Sequence, residues 1–144
     1  MPVARALFQD YAASIGIDLG FQDFAAELAG LPGAYAPPGG QIWFGEELGR
    51  AVGCVAVRPL GEDACEMKRL FVRPAARGLG MGRLLARTAV DFGRARAYRV
   101  MRLDTLATMT AARALYTSLG FREVPAYCYN PIADAVFMEL ALTG

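Results

Sequence analysis

The chain contains no histidine. That absence removes the usual general base near neutral pH and the usual nitrogen ligand of a zinc site. Its three cysteines, Cys54, Cys65 and Cys128, are odd in number and show no Cys-x-x-Cys spacing. A structural zinc site and a Ser-His-Asp or Cys-His hydrolase are therefore excluded, and the cysteines read as reduced and mostly buried. Lysine is almost as scarce: Lys68 is the only one, and every other cation is arginine. The net charge is +1, so no global basic field draws the chain onto nucleic acid. No apolar run approaches the ~20 residues that cross a bilayer. The start, Met1-Pro2-Val3-Ala4-Arg5, lacks a signal-peptide apolar core. These absences lead us to expect a cytoplasmic protein with no metal, no nucleic-acid partner and no membrane segment.

What is present suits one compact domain. The 144 residues, 55% of them hydrophobic, make a single domain over 1–144 with a substantial core. Leu7, Phe8, Tyr11 and Ile15 recur at helical spacing, predicting a helix from Val3 to about Ile15. A short second helix is expected near Phe21 to Leu28, then a loop through Tyr35-Ala36-Pro37-Pro38-Gly39-Gly40. Strands are expected at Gln41–Glu46, Arg50–Arg58 and Ala64–Val72, with turns at Glu47-Leu48-Gly49 and Pro59–Asp63. A long helix follows, with Met81, Leu84, Leu85, Thr88, Ala89 and Phe92 on its inner face. Then come a strand at Arg99–Asp104, a helix at Met109–Leu119 closed by a left-handed Gly120, and strands at Phe121–Val124 and Ala135–Leu142. This order predicts an α/β fold, a mixed sheet with helices on its faces.

Cations crowd one stretch, where Lys68, Arg69, Arg73, Arg77, Arg83 and Arg87 surround Arg77-Gly78-Leu79-Gly80-Met81-Gly82-Arg83. Glycine removes the Cβ that would hold a ligand off the backbone, so successive N–H groups can share one concavity. The helix that follows adds its own unpaired N–H groups and positive dipole end. The result is a phosphate socket bracketed by Arg77 and Arg83. It is not a P-loop, because Arg83-Leu84 supplies neither the lysine nor the hydroxyl. Nor is it a dinucleotide fingerprint, because a single residue separates Gly80 from Gly82. The pattern is Arg/Gln-x-x-Gly-x-Gly, met by Arg77, Gly80 and Gly82.

On these residues the chain resembles the GNAT N-acetyltransferase superfamily. The likeness extends to a Leu-x-Val-x-Pro strand end at Leu70, Val72 and Pro74. It extends also to Ala-x-x-Leu-Tyr-x-x-x-Gly-Phe, met by Ala112, Leu115, Tyr116, Gly120 and Phe121. The resemblance covers roughly Cys54 to Leu140. It implies a mostly antiparallel twisted sheet of about six strands with flanking helices. It also implies acetyl-CoA as co-substrate and an amine of a small molecule or peptide as acceptor. The pantetheine arm would pair with the backbone of Leu70, Phe71 and Val72. The pyrophosphate would rest on the amides from Gly78 through Leu79, Gly80, Met81 and Gly82 to Arg83, and outlying arginines would meet the 3′-phosphate.

An alkylammonium with a pKa of ~10.4 must lose a proton before it attacks. The resemblance points to Glu66 as that base; the alternative is a solvent-facing glutamate at a strand start. A backbone N–H near Phe71 or Val72 would stabilise the charged carbonyl oxygen. Tyr116 is the implied acid for the leaving thiolate, with an amphipathic core tyrosine as the alternative. Tyr35, Tyr127, Tyr129 and Asn130 are candidates for the acceptor space. The chain departs from the family's pattern in two places. Met109 stands where many relatives have asparagine. The N-terminal strand is missing or shortened, which leaves a sheet edge open for a second copy. The rival reading is a non-catalytic acyl-CoA sensor on the same fold; retention of Glu66 and Tyr116 favours an enzyme.

Overall fold

The structure, a computed structural model, describes residues 1–16, 20 and 23–143. The first element is helix α1 (Pro2–Ile15), whose Pro2 costs no hydrogen bond at the first helical position. It is followed by α2 (Phe24–Gly30); the expected start of this helix at Phe21 lies outside the described residues. Then come β1 (Gln41–Glu47), β2 (Arg50–Leu60), β3 (Ala64–Val72), α3 (Met81–Ala95), β4 (Val100–Leu106), α4 (Thr110–Ser118), β5 (Arg122–Val124) and β6 (Ala135–Ala141). The strands form one sheet in the order β1-β2-β3-β4-β6-β5. β3 and β4 run parallel, and the other neighbours are antiparallel. This is the expected six-stranded, mostly antiparallel fold, and β1 is an edge strand. Among the described residues no helix is long and apolar enough to cross a membrane.

Both faces of the sheet are covered, which is why β2 reads as a nearly continuous hydrophobic run from Ala51 to Val57 rather than an alternating one. On one face Val55, Val57, Cys65 and Met67 pack with Leu85, Ala86, Ala89 and Val90 of α3 and with Tyr116 of α4. On the other, Cys54, Ala56 and Phe71 pack with Ala4, Leu7 and Phe8 of α1 and with Tyr35. Each leucine-sized side chain fully buried this way contributes about 1.5–3 kcal/mol. The inner face of α3 is rotated from the expected one. It buries Leu85, Ala86, Ala89, Val90 and Gly93, while Leu84 is 65% exposed. Small residues let the helix approach the sheet closely at Ala86, Ala89 and Gly93, and that seam turns Leu84 outward. Cys54 and Cys65 are buried as expected, but Cys128 is exposed.

The alternation of β3 breaks at Arg69. Cys54 pairs with Phe71 and Ala56 with Lys68, so β3 carries one more residue than β2 across this interval. The extra residue is accommodated by Arg69 at φ 63, a left-handed conformation costing about 1–2 kcal/mol outside glycine. Arg69 is held there by Glu27 of α2, with contacts of 3.0 and 2.9 Å, and by the ring of Phe24, 5.1 Å from its guanidinium. The Cys54 thiol donates to the Arg69 carbonyl at 3.2 Å. After the bulge, Leu70 and Val72 join Cys65 and Met67 on the α3 side, and Phe71 packs under α1.

Gly53, opposite Val72, is needed for close approach. A Cβ there would lie 2.9 Å from the Phe71 carbonyl oxygen, a backbone atom that cannot rotate away. Gly53→Ala should therefore cost about 1–3 kcal/mol. In urea unfolding the midpoint should fall with the slope unchanged.

Candidate functional site

β3 and β4 are paired only from Ala64 to Glu66 and from Val100 to Arg102. Beyond that the strands part and a cleft of about 470 Å³ opens. Its walls are Leu70, Phe71 and Val72 of β3, the loop and first turn of α3 from Arg77 to Gly82, the start of α4 from Thr108 to Ala112, and Tyr11 of α1. On one side β3 pairs with β2 through Gly53–Val72 and Cys54–Phe71; on the other its ladder with β4 has ended. All the residues expected to bind the cofactor line this cleft except Leu79 and Arg83. Leu79 instead lines an outer groove together with Trp43 and Phe44, and Arg83 is exposed.

The glycine loop has the local geometry that such a socket requires. Gly78 and Gly80 sit at φ 85 and 82, where a side chain would be strained. Gly80 caps α3 with no side-chain hydrogen bond, and the first helical bond runs from the Leu84 N–H to the Gly80 carbonyl. The N–H groups of Met81, Gly82 and Arg83 therefore have no helical partner. Arg77 Nε donates to the Val72 carbonyl at 2.8 Å, tying the loop to the strand end. α4 also begins at the cleft, capped by Met109 without a side-chain bond. Two helix N-termini thus converge on one concavity, an arrangement suited to an anion.

A second, small space of about 20 Å³ shares Tyr11, Leu70 and Met109 with the cleft and is bounded by Lys68, Asp104, Thr105 and Tyr116. Tyr116 is held there by the end of its own helix. The Gly120 N–H bonds the Thr117 carbonyl and the Phe121 N–H bonds the Tyr116 carbonyl, both at 3.0 Å, with Gly120 at φ 102. This is a Schellman cap, and the Phe121 ring meets Tyr116 edge-on at 5.8 Å. Burial raises the pKa of the Tyr116 phenol above the usual 10.0. Lys68 lies 3.8 Å from Asp104. Burial lowers its pKa, and Glu66 and Asp104 oppose that shift. Met109 lines both compartments, and its sulfur accepts from Thr105 Oγ1 at 3.6 Å.

Glu66 lies on the sheet face under α1 and is only 2% exposed, so it is not a solvent-facing residue. One oxygen accepts from Arg58 Nε at 2.8 Å and the other from the Tyr127 hydroxyl at 2.6 Å. Burial pushes its pKa up, but Lys68, the Tyr127 hydrogen bond and Arg58 together outweigh that and hold it below the ordinary 4.5. Tyr127 packs edge-on against Phe137 at 5.3 Å. Asn130 donates to Asp104 at 3.1 Å. Of the four acceptor-space candidates, Tyr127 and Asn130 therefore meet the charged floor. Tyr35 is buried against Phe8 in the core, and Tyr129 is 76% exposed. Asp104, Tyr11 and Arg58 were not singled out from sequence. Nothing local marks them, since their neighbours come from other strands and helices.

The Acetyltransferase (GNAT) family matches residues 5–121. An uncharacterised N-acetyltransferase of Schizosaccharomyces pombe is 43% identical over 141 residues, covering 96% of this chain and 86% of that protein. A Staphylococcus aureus acetyltransferase of the GNAT family shares the fold, with a TM-score of 0.80 at 20% identity over 96% of this chain and 93% of that one. A Salmonella typhimurium protein solved with its cofactor acetyl-CoA aligns with a TM-score of 0.61 at 27% identity. That alignment covers 74% of this chain and 66% of the Salmonella chain.

Because the pKa of Glu66 is lowered on folding, its ionised form contributes stability above the unfolded pKa. That contribution is lost as pH falls through the folded value, below 4.5. Wild type should therefore lose more stability than Glu66→Gln between pH 7 and pH 3. Urea midpoints of the two proteins at both pH values measure this, and equal losses would contradict it.

Proposed function

The chain belongs to the acetyltransferase (GNAT) family and is an N-acyltransferase, and from that premise we propose that it moves an acetyl group from acetyl-CoA to a primary amine by direct attack. The observation that carries this reading is the cleft between the parted strands. One wall is a stretch of β3 with no ladder partner on its β4 side, and beside it lie the bare amides of Met81 and Gly82 at a glycine-capped helix start. The donor supplies an activated thioester. Leu70, Phe71 and Val72 offer it main-chain pairing, the amides from Gly78 to Arg83 receive its pyrophosphate, and Arg77 adds charge. Gly82 fits this role, since a Cβ there would meet no protein atom closer than 3.9 Å. The room it leaves is for a ligand.

At the inner end, Tyr116 is the group proposed to protonate the departing thiolate. Its raised pKa keeps the phenol protonated through the neutral range, so a proton is in place for the thiolate, although the transfer runs uphill because the thiol's own pKa is only ~8.5. A main-chain N–H near Phe71 or Val72 would face the carbonyl oxygen as it gains charge. Glu66 is the proposed destination for the amine's proton. Tyr127 bridges the way, because its hydroxyl already donates to Glu66 and can take one proton as it passes on another. The lowered pKa of Glu66 keeps it anionic, so it attracts the ammonium and is unprotonated when the proton arrives through Tyr127.

Tyr116→Phe should lower kcat by about 10²-fold or more and leave the KM for acetyl-CoA unchanged, read as thiol released from acetyl-CoA. Wild-type kcat in that variant would remove Tyr116 from the chemistry. Gly82→Val should keep the wild-type Tm and raise the Kd for CoA about tenfold or more in calorimetry, since the added methyls occupy a pyrophosphate position. Wild-type protein that fails to bind CoA at all would end the reading.

A further inference from the structure

One row of charge crosses five strands on the sheet face that carries Glu66. Arg58 of β2 is paired with Glu66 of β3, Glu66 with Arg102 of β4, Arg102 with Glu139 of β6, and Glu139 with Arg122 of β5. Partners in a ladder point to the same face, so the signs alternate along one line and cations outnumber anions by one. Arg58 Nε reaches Glu66 at 2.8 Å, Arg102 Nε reaches Glu139 at 2.8 Å, and Arg122 lies 3.6 Å from Glu139.

The carboxylates lie beneath and the guanidiniums above. The Glu66 and Glu139 side chains are 2% and 17% exposed, whereas those of Arg58 and Arg102 are 34% and 33% exposed. Both arginines use Nε for their carboxylate, and among the described residues their terminal amino groups make no hydrogen bond. A guanidinium pinned at Nε loses little further freedom when a ligand arrives, and its outer N–H pair matches the two oxygens of a carboxylate. Arg58 and Arg102 stand on either side of β3, two strand spacings or about 10 Å apart. Tyr127 reaches across between them, with its hydroxyl on Glu66 and its ring 5.9 Å from the Arg102 guanidinium.

The row's position gives this surplus cation a use. Two residues further along the same strands, about 7 Å away, lie Lys68 and Asp104, which bound the small space adjoining the cleft. The open arginines therefore stand one row behind that end, and Arg102 opens onto a surface depression that Glu62 and Asp63 also line. We propose that the amine acceptor carries a carboxylate, bound by the outer N–H groups of Arg58 and Arg102. This rests on the N-acetyltransferase reading above and names the acceptor class for that site. A second cationic group on the acceptor is disfavoured by the row's net charge, so polyamines are poor substrates. Both arginines determine specificity, and neither takes part in proton transfer.

The test measures thiol release from acetyl-CoA with a panel of α- and ω-amino acids, each beside its own carboxamide, and with polyamines. At least one amino acid should exceed its carboxamide by about 10²-fold in kcat/KM, the scale of a lost charge-assisted pair of hydrogen bonds. Arg58→Gln and Arg102→Gln should each raise the KM for that amino acid about tenfold while the KM for acetyl-CoA stays unchanged; Arg94→Gln on α3 should alter neither. Equal rates for acid and carboxamide, preference for a polyamine, or no carboxylate-bearing amine accepted by protein that binds CoA in calorimetry would each overturn the inference and leave the acetyltransferase reading standing. Absence of CoA binding would overturn that reading instead, and this inference with it.

Discussion

β3 and β4 share a ladder for only three residue pairs. Beyond Glu66 the backbone of β3 still has polar groups on that side, and a buried main-chain polar group needs a partner. The sheet does not provide one, because the bulge at Arg69 turns β3 away and the starts of α3 and α4 occupy the opening. The cleft and its main-chain wall follow from this one interruption. The bulge in turn depends on Glu27 and the aromatic rings around Arg69, so α2 helps to hold the split open from the far side of the sheet.

The floor of the split carries charges that a hydrophobic core would have replaced at lower cost. Burying an ion pair costs several kcal/mol per ion before attraction offsets it. Arg58–Glu66, Lys68–Asp104 and Arg69–Glu27 are therefore weak evidence of stability. Their value is positional. Glu66 is fixed by Arg58 and Tyr127 together, and Asp104 is approached by Asn130 and Lys68. The loop after β5 is thereby attached to the middle of the sheet.

The motif residues have plain mechanical meanings. In Leu115-Tyr116-Thr117-Ser118-Leu119-Gly120-Phe121, the glycine permits the left-handed cap and Phe121 packs on Tyr116, so the pattern fixes a phenol in depth. In Arg77-Gly78-Leu79-Gly80-Met81-Gly82, the glycines at positive φ bend the chain into α3, and Arg77 fastens that bend to Val72. Such features are legible because their causes lie within a few residues. The same holds for the order of helices and strands, since hydrophobic period and turn residues are local. The face of α3 is less legible: Leu84 fits the helical spacing, but the small residues Ala86, Ala89 and Gly93 decide which side meets the sheet.

The fold class, the order of elements and the glycine loop are legible in the sequence, because each is specified by neighbours along the chain; the pairing role of Leu70, Phe71 and Val72 and the acid role of Tyr116 are what the resemblance implies. Tertiary structure alone decided the company of Glu66. It is joined by Arg58 eight residues before it, Arg102 one strand over and Tyr127 from a distant loop. It also separated Tyr127 and Asn130, which reach the charged floor, from Tyr35 in the core and Tyr129 in solvent. Strand register and loop packing set these meetings, and both are long-range choices made by the whole fold, which no short window of residues encodes.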